Sequence, residues 1–257
     1  MISFFLSMSK KSVSVVVPVY NEERDIPRTI PILYKYLSEN FKNYDWRLVI
    51  GDNGPSKDNT PGVSKKLVKK YKHLEYICIP RPARGNALKE IWLKDRADAL
   101  VYMDVDLSSD LSYLPQLVNA LFDGYDIAIG SRLKKGAKVY GRTLLREIMS
   151  RGYNILIKTF FWTSFCDAQC GFKGIRREAA KKLLPYVLDK AWFFDSELLI
   201  LADKSGHKIR EVPIVWRDDP ASTVKVAKTA WGDLKGLWRM WWDRPWRKIK
   251  NDERSSH

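Results

Sequence analysis

Two aspartates one residue apart, Asp104 and Asp106, follow the apolar run Ala99–Met103. Side chains recur on one face of an extended backbone at a period of two, so this spacing predicts both carboxylates on one side. Such a pair suits a hard divalent cation that keeps positions for water and phosphate oxygens and offsets charge on a departing diphosphate. Taken alone, the triplet reads equally well as a turn or a helix cap. Two other polar segments stand in equivalent places. Pro18, Tyr20, Asn21, Glu22 and Glu23 close the run 13–19, and Gly51, Asp52, Asn53 and Gly54 close the run 46–50.

The elements that must carry these groups are legible from periodicity. Residues 13–19, 46–50, 74–79, 99–103 and 126–129 read as strands, and stretches near 25–41, 58–72, 85–96 and 112–123 have helical spacing. Four strand-helix alternations predict an α/β fold with a mostly parallel central sheet flanked by helices. Ligands of such sheets sit outside the carboxyl ends of the strands, where the three polar segments fall.

Composition narrows the class. The 257 residues are 45% hydrophobic, enough for a packed core, and 45 Lys plus Arg against 30 Asp plus Glu leave a net charge of +15. That excess points to an anionic partner: nucleic acid, anionic lipid or a phosphorylated substrate. Cys78, Cys166 and Cys170 form neither an even disulfide framework nor a complete zinc site, and read as small packing residues in a reducing compartment. His73, His207 and His257 form no cluster. No apolar run approaches the roughly 18 residues of a membrane span. The opening Met1 to Met8 lacks the basic leader and cleavage site of a signal peptide and is compatible with a start at Met8.

The second half is basic and aromatic. Arg142, Arg146 and Arg151 lead into YNILIKTFFWTSF. Arg146 and Ser150 are four apart and share a helical face, either as a phosphate cradle or as part of a solvated surface, while Arg142 and Arg151 read as solvent or lipid-head-group contacts. Near the carboxyl end Trp231, Leu234, Trp238 and Trp241 have helical spacing, with Trp242 and Trp246 beside them. Eight cations lie between Lys225 and Lys250 against Asp233 and Asp243. This predicts an interfacial helix, each cation contributing about 1 kcal/mol near anionic lipid. The alternative is a helix packed on the core with its indoles buried.

Together VVVPVYNEERDI, GDNGPSKDNT, YMDVDLSSD, GSR, DAQCGFKG and EVPIVW, from about residue 13 to 225, resemble the inverting family 2 glycosyltransferases of GT-A fold. DAQCGFK with WFFDSELL and EVPIVW is similar to the dolichyl-phosphate or polyprenyl-phosphate branch. The resemblance implies a GT-A nucleotide-sugar-binding fold with C-terminal amphipathic surface helices. It implies an N-terminal extension over 1–11, a catalytic domain over 12–225 and a basic Trp-rich segment over 226–257. The implied reaction moves a hexose to a dolichyl or polyprenyl monophosphate with Mg²⁺ or Mn²⁺, glucose from UDP-glucose first and mannose from GDP-mannose as the alternative. The implied place is the cytoplasmic face of a membrane, held peripherally.

The resemblance also distributes roles. Pro18, Tyr20, Asn21 and Glu22 fall on the nucleoside loop, Asp52 on the carboxylate that recognises the base, and Arg84, Gly85 and Asn86 on the turn opening a helix at the diphosphate. Asn53 stands where many relatives carry a second acid. Asp106 is expected to ligate the metal and Asp104 to bridge metal and donor, with Ser108 where some relatives add a ligand. Arg132, Arg146 and Ser150 match the acceptor-phosphate residues. Asp167 shares the catalytic positions with Asp104 and Asp106. A phosphate monoester has its second pKa near 6, so its oxygen is already nucleophilic at pH 7. Asp167 is therefore expected to orient the sugar or the arginines, with base catalysis the lesser role. Gln169, Lys173, Asp195, Glu197 and Lys225 are sugar or loop candidates, the two lysines as phosphate contacts. A nucleic-acid-binding module is the rival of another class and leaves the acidic strand ends unexplained. A transferase acting on soluble or cell-wall glycans is a third reading.

Overall fold

The computed structural model describes residues 10–80, 84–218 and 226–255. In chain order the elements are β1 (Ser12–Val19), α1 (Ile26–Asn40), β2 (Asp45–Asp52), α2 (Thr60–Lys70), β3 (Leu74–Cys78) and α3 (Arg84–Lys94). There follow β4 (Ala99–Met103), α4 (Leu114–Phe122), β5 (Ile127–Ser131), β6 (Lys138–Tyr140), α5 (Leu144–Phe161) and β7 (Phe172–Arg176). The chain closes with α6 (Arg177–Leu183), α7 (Phe194–Ser205), β8 (Ile209–Pro213), β9 (Val215–Arg217), α8 (Val226–Asp243) and α9 (Trp246–Ser255).

Seven strands form the main sheet in the order β3-β2-β1-β4-β7-β5-β8. β7 runs antiparallel between β4 and β5, and the other neighbouring strands of this sheet pair in parallel. β1 is buried from Val13 to Val19, the unbroken apolar run of a strand covered on both faces. From β1 the chain goes outward to β2 and β3, then returns through α3 to β4 on the other side of β1. That reversal opens a crevice at the carboxyl ends of β1 and β4. α1 and α4 cover one face, through Ile26, Ile30, Leu33 and Leu37 of α1. α3 and α5 to α9 cover the other. A small parallel sheet of β6 and β9 flanks the crevice.

Two expectations need correction. β4 stops at Met103, and residues 104–107 form a turn in which Leu107 takes φ 51°. Asp104 and Asp106 are therefore presented by a turn and not by the period of a strand. The Trp-rich segment is two helices, because Arg244 adopts φ 46° before Pro245, whose ring disfavours a helical residue ahead of it. Nor is the segment merely appended, since Leu237, Met240 and Ile249 are buried in the core. Among the described residues no helix is long and apolar enough to cross a membrane.

Candidate functional site

The first wall is the loop after β1, stitched to the loop after β2. Asn21, at φ 57°, donates its N–H to Ser56 Oγ and accepts the Lys57 N–H at 2.7 Å. The Glu22 N–H reaches Thr60 Oγ1 at 2.8 Å. Pro18 is buried, whereas Tyr20 is exposed at the rim. Burial pushes the Glu22 carboxyl up to about 7, helped by a hydrogen bond and charge from Asp25 and by the charges of Asp106 and Asp58. Negative charge thus gathers where a cation would be wanted.

Asp52 departs from expectation. Its side chain is wholly buried, with Oδ1 accepting Ser56 Oγ–H at 2.8 Å and Oδ2 accepting Tyr76 O–H at 2.8 Å. A group facing an open pocket would meet solvent, so Asp52 braces the loop and does not present itself to a base. Beside it Asn53 Oδ1 is buried without a partner.

The Asp104–Asp106 turn meets the loop before β7. The Asp104 N–H donates to Gly171 O at 3.2 Å, and a Cβ added at Gly171 would overlap the Asp104 carboxylate, so only glycine admits this approach. Asp106 is exposed, with Oδ1 holding the Ser108 N–H at 2.9 Å. Ser108 itself is buried. No group of three or more His, Cys, Asp or Glu suited to a metal occurs among the described residues. Two carboxylates at an open turn fit an ion that fills its remaining positions with water and diphosphate oxygens, as Mg²⁺ and Mn²⁺ do.

Arg132 follows β5 and forms a bidentate pair with Asp167: Nε to Oδ2 at 2.8 Å and Nη2 to Oδ1 at 2.9 Å. The Arg132 backbone N–H also reaches Oδ2, and the Gln169 N–H reaches Oδ1. A carboxylate has about four lone-pair sites, and four donors occupy them. Burial alone would raise the Asp167 pKa, but the charge and hydrogen bonds of Arg132 outweigh it and hold the carboxyl below its ordinary value. Asp167 is wholly buried. A carboxylate so occupied is a poor base, and its pairing with Arg132 is the orienting role expected of it. The guanidinium lies over the Trp216 ring at 5.0 Å.

The second and third cations come from the α5 end. Arg146 Nη1 donates to Asp218 Oδ2 at 2.7 Å. Arg142, expected at the solvent, is mostly buried and donates to Glu147 at 3.1 Å. Its pKa is lowered by burial and then by the charge of Arg132, which places the two guanidinium groups within mutual influence. Arg151 does point to solvent. Ser150 is buried and its Oγ has no hydrogen-bond partner among the described residues. An orphan buried hydroxyl is costly, and a ligand oxygen would complete it.

Lys173 is corrected outright. It lies in β7 at 1% exposure, donating to Cys170 O and to Tyr102 Oη and pairing with Asp195 Oδ1 at 3.0 Å. An ammonium has three donors, so none is left for a phosphate. Asp195, which also accepts the Tyr102 hydroxyl, is buried with it beneath the site. Glu197 is also internal: Oε1 accepts Arg239 Nη2 at 2.7 Å, while Oε2 accepts the N–H groups of Leu188 and Asp189. That loop carries Lys190, whose carbonyl takes the Asn86 N–H at 3.2 Å. One donor expected to face an anion at the start of α3 is thus occupied. Gly85 packs on Phe194 and Ala191. The Arg84 side chain and all of Lys225 lie outside the described residues. Cys170 is buried, which pushes its thiol up to about 12 and leaves it inert.

Periodicity alone missed Asp233. It projects from the inner face of α8, is buried, and accepts Gln169 Nε2–H at 2.7 Å on Oδ2. Burial raises its pKa to about 7, opposed by the Gln169 hydrogen bond and reinforced by Asp189 and Asp195. A carboxyl raised in the folded state contributes stability that is complete below its unfolded value near 4 and lost as pH rises through about 7. Asp233→Asn is expected to flatten the fall in denaturation midpoint between pH 5 and 8, measured by urea titration.

Comparison with known proteins identifies relatives of the chain. The family described as Glycosyl transferase family 2 matches residues 14–184. A dolichyl-phosphate beta-glucosyltransferase of Saccharomyces cerevisiae is 31% identical over 233 residues, covering 83% of this chain and 69% of that protein. Glycosyltransferase AglD of Haloferax volcanii is 34% identical over 232 residues, covering 90% of this chain but only 37% of its own length. Among solved structures, glucosyl-3-phosphoglycerate synthase of Mycobacterium tuberculosis with UDP shares the fold at a TM-score of 0.63 and 19% identity, covering 91% of this chain and 80% of that one.

Proposed function

The chain belongs to glycosyl transferase family 2, and on that footing we propose that it transfers glucose from UDP-glucose to the phosphate of a dolichol-type or polyprenol-type lipid, with inversion. The observation that carries this reading is the position of the cationic cluster. Arg132 lies near enough to Asp104 to feel its charge, and the Gly171 carbonyl that takes the Asp104 N–H stands four residues after Asp167, the partner of Arg132, which supports a phosphate-binding cation beside the candidate metal carboxylates. Arg142 and Arg146 lie at the start of α5, whose Leu144, Leu145 and Ile148 are exposed. Head-group cations and an apolar surface thus lie side by side.

In the proposed reaction the acceptor phosphate is held by Arg132, Arg142 and Arg146 with Ser150 donating its free hydroxyl. Forked guanidinium donors suit phosphate oxygens, and Asp167 keeps the Arg132 fork from rotating. The acceptor oxygen attacks the anomeric carbon while the bond to the nucleotide diphosphate breaks. A divalent cation at Asp104 and Asp106 would draw charge from that leaving group; the Mycobacterium neighbour has been solved with Mn²⁺ and UDP. The loops after β1 and β2 hold the nucleoside. No base is required, because the attacking oxygen is already ionised.

A lipid acceptor demands contact with a membrane surface. Trp231, Trp238 and Trp242 are 62%, 63% and 71% exposed on one side of α8, and α8 packs beside α5. Exposed indoles above a basic helix form an interfacial face. Replacing these three tryptophans with Ala is expected to weaken sedimentation with anionic vesicles at least tenfold and to slow transfer to vesicle-borne polyprenyl phosphate. Transfer to a short, dissolved prenyl phosphate should persist. Unchanged sedimentation would remove α8 from the interface.

A further inference from the structure

Gln169 occupies the strip between the two halves of the reaction. Two residues before it, Asp167 anchors the phosphate-binding Arg132; two residues after it, Gly171 receives the Asp104 carboxylate. The transferred hexose must lie across this strip, since its anomeric carbon sits between the leaving diphosphate and the incoming phosphate. Gln169 is half-buried.

A side-chain amide has two chemically different edges, and density alone rarely distinguishes them; its partners decide. The partner here is Asp233, whose Oδ2 receives Gln169 Nε2 at 2.7 Å. Once ionised, above its raised pKa of about 7, the Asp233 carboxylate can only accept, so the NH₂ edge faces it and Oε1 faces away. Oε1 has no hydrogen-bond partner among the described residues. Asp233 cannot swing aside, because the face of α8 that bears it is packed down: Leu237 and Met240 are buried, and Gly236 rests on the Phe193 ring.

Resting on the transfer reading above, we propose that Gln169 is a specificity-determining residue that offers its carbonyl oxygen to a hydroxyl of the transferred hexose, and that Asp233 is the positioning residue fixing that amide. The consequence is discrimination between epimers. A hydroxyl moved off the Oε1 direction leaves that acceptor unpaired once the bound sugar covers it, which a site built to hydrogen-bond penalises strongly.

The test is calorimetry at pH 8, where Asp233 is ionised, with Mn²⁺ and UDP, UDP-glucose, UDP-galactose or UDP-mannose. Wild type is expected to prefer glucose at least tenfold over one epimer. Gln169→Leu and Asp233→Leu should bring that ratio within about twofold while leaving the Kd for UDP within twofold, a split that general damage to the fold would not produce. Gln169→Glu opposes two carboxylates and should lose the preference. Combining it with Asp233→Asn transposes the pair, restoring both the hydrogen bond and an acceptor oxygen at 169, and should recover the preference. A wild-type preference kept in both Leu variants, or absent recovery in the transposed pair, overturns this inference alone. A wild type that binds UDP without epimer preference also overturns it alone, whereas failure of wild type to bind UDP or any UDP-hexose overturns the transfer reading with it.

Discussion

Asp106→Ala is expected to lower transfer at least about a thousandfold while changing stability by about 1 kcal/mol or less. The two halves of that expectation come from one observation. Asp106 is exposed on the 104–107 turn, and among the described residues its side chain holds the Ser108 N–H alone. Removing it costs the fold one modest hydrogen bond. Yet it is the more accessible of the two carboxylates on the turn proposed to hold the counter-ion of the leaving diphosphate. Steady-state turnover, read with thermal denaturation, separates the two effects. Activity within tenfold of wild type, or activity retained in excess chelator, would remove the metal from the mechanism.

The second large effect lies at Asp167. Replacing it with Asn leaves the Arg132 guanidinium, only 10% exposed, without its counter-charge. Breaking a buried pair from one side costs about 3–5 kcal/mol, because the remaining charge stays desolvated. Asp167→Asn is therefore expected to lose that much stability together with transfer. Replacing both partners, Arg132→Met with Asp167→Leu, removes the stranded charge and should regain most of the stability, since apolar residues of similar volume replace such pairs at little cost. Transfer should not return, because the phosphate has lost its forked donor. If the double variant recovered both, Arg132 would be structural only.

The strands and helices of the first half were legible because each is a short, strongly patterned run. Val13 to Val19 can hardly be anything but a buried strand, and α1 repeats its apolar residues at helical spacing. The polar strand ends were legible for the same reason, as abrupt departures from those runs. What local pattern could not supply was pairing across the chain. Lys173 sits in a five-residue strand whose apolar pattern it interrupts, and only the fold reveals Asp195 and Tyr102 waiting for it. Asp52 looks identical in sequence whether it faces a base or Ser56 and Tyr76.

α8 is the clearest case. Two stripes repeat at helical spacing about a third of a turn apart, Trp231, Leu234 and Trp238 on one side, Asp233, Leu237 and Met240 on the other. The aromatic stripe dominates any hydrophobicity count, yet it is the one left exposed. The inner stripe is masked by an acid and by Gly236, small enough to let the helix touch Phe193. Burial of the indoles, the alternative for this segment, holds in part for Trp246, which is half-buried and packs edge-on against Phe161 at 6.0 Å from the neighbouring helix α9.

The most direct test supplies the protein with radiolabelled UDP-glucose, Mn²⁺ and dolichyl phosphate in anionic vesicles, and follows label into the organic phase. The account predicts a β-linked glucosyl phospholipid, formed in proportion to acceptor and lost in Asp106→Ala. Label released only as free glucose, or passed to a water-soluble phosphate such as phosphoglycerate in preference to the lipid, would contradict it.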